Sequence, residues 1–100
     1  MNGTSQPRLP IVDLHVSRAA SGGYSYSIDW AGDTLLEDHG LPSIAAALAA
    51  AGDDAGDFLG FRVDYSAVLI GTYAPQELRA SSKDIADLCV ERHAKFSGPE

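Results

Sequence analysis

The sequence predicts an α+β fold: a two-layer sandwich with an antiparallel sheet of three to four strands, two helices on one face, and the order ββαββα. Three observations carry this reading. Apolar and polar residues alternate through residues 12–17 and again through 24–30, an alanine-rich run follows at 44–51, and a long β-type region at 58–73 leads into a capped helical stretch. With 100 residues, 45% of them hydrophobic and 21% charged, the chain has the size and balance of one domain. Residues 9–97 are assigned to that domain, 1–8 to a disordered N-terminal tail and 98–100 to a frayed C-terminus.

The first strand spans residues 11–18, where Val12, Leu14 and Val16 alternate with Asp13, His15 and Ser17. Gly22 and Gly23 turn the chain, and Tyr24, Tyr26, Ile28 and Trp30 alternate with Ser25, Ser27 and Asp29 in a second strand, which makes a hairpin. Gly32 and Asp33 break it. Thr34 and Glu37 have capping-box spacing, so a short helical turn is expected before Gly40. Pro42 or Ser43 opens the first helix, which is expected to close at Gly52 as a left-handed cap.

Residues 58–73 are too long for one regular strand. Leu59, Phe61, Val63 and Tyr65 share one parity and Val68, Ile70 and Thr72 the other, so the register changes near Asp64 to Ser66. A second hairpin is favoured over one bulged strand. Pro75 ends the region, and Ser81 with Asp84 caps a second helix carrying Ile85, Leu88, Cys89 and Phe96 to about residue 95. Tyr24-Ser25 aligns on Tyr65-Ser66 and Ile44-Ala45 on Ile85-Ala86, but the resemblance between the halves is architectural only.

Charge narrows the partners. Seven basic against fourteen acidic residues give a net charge of −7, which repels phosphate backbones and anionic lipid, so neither nucleic acid nor a membrane is expected to bind. No glycine loop of the phosphate-cradling kind occurs, so no nucleotide is expected and no cofactor is assigned. The single cysteine, Cys89, excludes an internal disulfide and points to a reducing, cytoplasmic location. The apolar stripe of the last helix makes it a core thiol; His93 lies one turn beyond it.

Alternation puts Asp13, His15, Ser17, Ser25, Ser27 and Asp29 on one polar face of the first hairpin. These are the residue types of a proton relay, and they define a small hydrolase-like alternative using His15 with Ser25 or Ser27 and Asp13 nearby. A flat strand face offers no oxyanion hole, so a solvated surface is the simpler reading. Glu37, Asp38 and His39 are the best metal-ligating group, with Asp33 close in sequence, but consecutive residues rarely converge on one ion and no metal is assigned. Asp53, Asp54 and Asp57 lack the spacing of a calcium loop.

The stretch Gly22-Gly23-Tyr24-Ser25-Tyr26-Ser27-Ile28, with Gly32-Asp33-Thr34-Leu35 and a helix after it, resembles the start of HicB-type antitoxin domains. The likeness covers about a third of the chain, and the family's Pro-Asp-Leu-Pro-Gly-Cys-type segment has no counterpart. It implies a small ribonuclease as partner. The main expectation is different: a non-catalytic interaction or regulatory module that pairs with a protein partner or with itself as a homodimer. Its interaction face is expected at Ile11, Val68 and Ile70, the apolar strand residues left over if helices cover one side of the sheet.

Overall fold

Strand β1 (Leu9–Arg18) pairs antiparallel with β2 (Tyr24–Trp30), placing Asp13 opposite Asp29, His15 opposite Ser27 and Ser17 opposite Ser25. The computed structural model describes residues 9–97 apart from 21 and 55–57; the tail and the frayed C-terminus expected at 1–8 and 98–100 fall outside them. Val12, Leu14, Val16, Tyr26 and Ile28 are buried on one side of this hairpin, as their alternation requires.

The expected helical turn at Thr34 is instead a strand, β3 (Asp33–Leu41), antiparallel to β2. Ala31 and Gly32 both take positive φ, 55° and 87°, between the paired residues Trp30 and Asp33. That two-residue geometry matches the right-handed twist of the strands it joins, and it extends the sheet where a cap would have begun a helix. A strand therefore separates the Ala31-Gly32 turn from the helix that follows.

Helix α1 (Ile44–Asp54) starts at Ser43, whose hydroxyl accepts the Ala46 amide at 3.0 Å. It crosses the sheet and delivers β4 (Phe58–Tyr65) alongside β1 in parallel. The missed strand explains the direction: three strands, not two, precede the helix, so the chain re-enters the sheet running the same way as β1. Strand β5 (Val68–Tyr73) returns antiparallel to β4. The sheet is thus five-stranded and mixed, in the order β3-β2-β1-β4-β5, and not the antiparallel sheet of three to four strands expected.

The C-terminal helical region also divides. Pro75 opens α2 (Pro75–Ala80), where the Glu77 carboxylate accepts the Ala74 amide at 2.8 Å, and α3 (Ser82–Ser97) follows after a break at Ser81. The observed order is βββαββαα, with three helices among the described residues. Ile44, Leu48, Ala51, Leu78, Ile85 and Cys89 of these helices pack with the buried strand residues in one core, so the sheet has one covered and one open face.

Gly52 is helical and not the left-handed cap expected. A Cβ there would meet the Pro75 carbonyl oxygen at 2.8 Å and the Leu78 Cβ at 3.1 Å, so glycine is required by the approach of α2 to α1.

The β4–β5 turn has positive φ at Ser66 (49°) and Ala67 (71°), with no glycine to relieve it. An L-residue in this region is strained by about 1–2 kcal/mol. Ala67→Gly is therefore expected to raise stability by about 0.5–1 kcal/mol after the extra freedom glycine gives the unfolded chain. Chemical denaturation checks it: the midpoint rises at unchanged slope, and a fall would show that the turn carries no such strain.

Candidate interaction surface

The open face of the sheet carries the polar residues read from the sequence, joined by two from β4. The Asp13 carboxylate accepts from Arg62 Nε at 2.8 Å and lies 2.7 Å from Nη2. His15 sits between two acids: Nδ1 is 2.6 Å from Asp64 Oδ2, and Nε2 is 3.3 Å from Asp29 Oδ2. Register dictates this grouping, since Asp13 faces Arg62 and His15 faces Asp64 directly across the parallel pair.

The same register sets Asp13 directly opposite Asp29, a like-charge pair that destabilises a ladder. Arg62 draws one carboxylate and His15 the other, so the face offsets its own repulsion. A histidine ring donates from both nitrogens only when protonated, and the neutral ring donates to one acid alone. Asp29 Oδ1 is buried without a hydrogen-bond partner.

This arrangement leaves no free nitrogen on His15 for a serine. Ser27 is directly opposite but makes no side-chain hydrogen bond among the described residues, and Ser25 pairs with Ser17 at 3.3 Å. The chemistry of this face is charge balance on a flat sheet. Asp64 and Arg62 are absent from the sequence-based site, although their period-2 spacing on β4 is the signal that places them on this face.

The other candidates separate. His39 Nε2 lies 3.9 Å from Glu37, while Asp38 accepts the His39 amide at 2.8 Å, all on exposed β3. Among the described residues no group of three or more metal-ligating side chains converges. Asp54 accepts the Tyr26 hydroxyl at 2.9 Å, and burial followed by that carboxylate holds the phenol well above the usual tyrosine range. Asp53 pairs loosely with Arg79 at 3.7 Å, and Asp57 lies outside the described residues. Burial pushes the Cys89 thiol up to about 11, which keeps it protonated and unreactive at neutral pH. The His93 ring meets Tyr65 edge-on at 5.3 Å.

The expected interaction face is corrected. Ile70 is 3% exposed and belongs to the core, and Val68 packs against it. The two-residue turn at Ser66 and Ala67 pairs Tyr65 with Val68, which puts Val68 and Ile70 on the core side and Leu69, opposite Asp64, on the open side, where Leu69 at 57% and Ile11 at 49% are exposed. Pairing across a two-residue turn joins residues of opposite parity, so the even-numbered residues of β5 share the face of the odd-numbered residues of β4; the register shift between Val63 and Asp64 re-aims only Gly71 to Tyr73.

The two sheet edges differ in kind. Strand β3 carries Asp33, Glu37 and Asp38 and two register irregularities, devices that blunt an edge. Strand β5 reads Val-Leu-Ile-Gly-Thr-Tyr, with neither charge nor proline. Beside its end, Tyr73 lines a groove of about 270 Å³ with Glu77, Ser81, Asp84, Ile85 and Leu88.

No family model, curated protein or solved structure matches the chain. None of the described helices is long and apolar enough to cross a membrane.

Proposed function

We propose that this chain is a non-catalytic interaction module that self-associates by strand addition at β5. The uncharged, proline-free β5 edge, with Leu69 exposed beside it, is the observation that carries the reading. An edge strand presents a row of unpaired amides and carbonyls, and a second copy running antiparallel satisfies them across a two-fold axis. The open face is a poorer choice for such pairing, because it would set Asp13, Asp29 and Asp64 against their own copies. A cytoplasmic location belongs to the same reading and is supported by the lone, buried thiol.

Sedimentation at micromolar concentration is expected to give a dimer, and Leu69→Lys to give a monomer. Lysine at this exposed site alters no core contact and places a charge on the edge, where charge opposes strand pairing. A wild-type chain that stays monomeric across that range overturns the proposal, as does a Leu69→Lys variant that still dimerises.

A further inference from the structure

We infer that the β5 edge and its adjoining groove also accept an extended peptide carrying a lysine or arginine among apolar residues, and that this peptide displaces the second copy. The inference rests on β5 as the working edge and adds a ligand class and a regulation to it.

A strand added to β5 would touch two sets of groups. Its backbone meets the free ladder groups of β5, and alternate side chains turn toward the helix layer. There the groove offers the apolar walls of Tyr73, Ile85 and Leu88 together with two carboxylates, Glu77 and Asp84. Among the described residues neither carboxylate is in an ion pair.

Charge then selects the occupant. The chain bears −7 overall, and β5 itself has no basic residue to present to a second copy's groove. A homodimer therefore fills the edge and leaves Glu77 and Asp84 without counter-charge. A basic side chain on an otherwise apolar strand supplies the counter-charge, chiefly to Asp84 because Glu77 already accepts the Ala74 amide, and its apolar stem lies along Tyr73 and Leu88. The two occupants compete because β5 has one free edge.

The probe is a blocked hexapeptide, Thr-Val-Lys-Val-Thr-Val, with a control in which glutamate replaces the lysine, titrated into the full chain. Amide chemical-shift changes are read along β5 and the first turns of α3, and sedimentation is read at saturating peptide. The expected result is shifts at both elements, affinity about two- to fivefold weaker for Asp84→Asn, the size of one exposed charge pair, and weaker still for the control, and conversion of dimer to monomer. Asp84→Asn keeps a polar residue in the first turn of α3, and unchanged circular dichroism shows that it folds.

Absence of shifts overturns the inference, as does binding that ignores the change of charge, or a dimer unaffected at saturation. The two proposals fail separately. A monomeric wild type that binds the lysine peptide with the expected charge dependence sinks self-association and the displacement while keeping the ligand class. A dimer that binds neither peptide does the reverse.

Discussion

Replacing Phe61 with alanine is expected to lower stability by about 3–5 kcal/mol, a large part of the roughly 5–15 kcal/mol that holds a domain of this size together. Phe61 is fully buried on β4, one of the two central parallel strands. Its ring meets Phe58 edge-on at 6.1 Å, and it lies opposite Val12 on one side and Tyr73 on the other. Truncation removes the transfer energy of the ring and leaves a cavity between strands that their ladders prevent from closing. The melting temperature should fall by about 12–30 °C in a chain of about 100 residues, while Phe61→Leu, which keeps most of the volume, should lose much less. A loss below about 1 kcal/mol for the alanine variant would show that this part of the core is not closely packed.

The second large effect has a sign that helix propensity alone gets wrong. Gly52→Ala should gain up to about 1 kcal/mol from propensity, since position 52 is helical. The added Cβ, however, would sit 2.8 Å from the Pro75 carbonyl oxygen and 3.1 Å from the Leu78 Cβ. Neither is the end of a flexible side chain. Arg79 also donates from Nη1 to the Gly52 carbonyl at 2.9 Å, which fixes α2 against α1. Overpacking of this kind costs about 1–3 kcal/mol, so the net change is a loss for alanine and a greater one for Gly52→Val. Urea denaturation distinguishes the two accounts, because a stabilised alanine variant would mean that α2 yields to the methyl group.

Local patterning was strongest where one strand face is buried and the other wet. Residues 12–16 and 24–28 fall into that class, and both strands stand where alternation puts them, while Trp30, at the end of β2, is 49% exposed. Strand β3 was unreadable by the same rule because it is an edge whose residues are nearly all exposed, so burial imposes no alternation on Thr34-Leu35-Leu36-Glu37. Capping-box spacing then gave a misleading signal that the Ala31-Gly32 turn overrides. Missing this strand also reversed the direction expected for β4.

The site shows the same division. His15 and its hairpin neighbours were legible from parity, but Asp64 joins them from 49 positions away, and only the parallel register brings it there. The exchange of Leu69 for Val68 and Ile70 follows from the two-residue turn at Ser66 and Ala67, which pairs residues of opposite parity and which alternation along the strand alone does not reveal. Gly52 was read as a cap because a glycine at a helix end has that meaning locally, whereas its actual neighbour is a helix more than twenty residues on.

The parallel pairing of β1 with β4 has a kinetic consequence. On either side of it the strands are joined by short turns, so β1-β2-β3 and β4-β5 can each form from local contacts, while the seam between them joins residues 49 apart in sequence, as in Asp13 with Arg62. Closing that long loop is the entropically demanding event, and contacts of high sequence separation slow folding accordingly. During synthesis the first three strands leave the ribosome before their central neighbour exists, with the inner edge of β1 unpaired until residues 58–65 arrive. The Asp13–Arg62 and His15–Asp64 pairs then act on the last step of assembly, favouring the one alignment of the two halves in which Arg62 meets Asp13 and His15 meets Asp64.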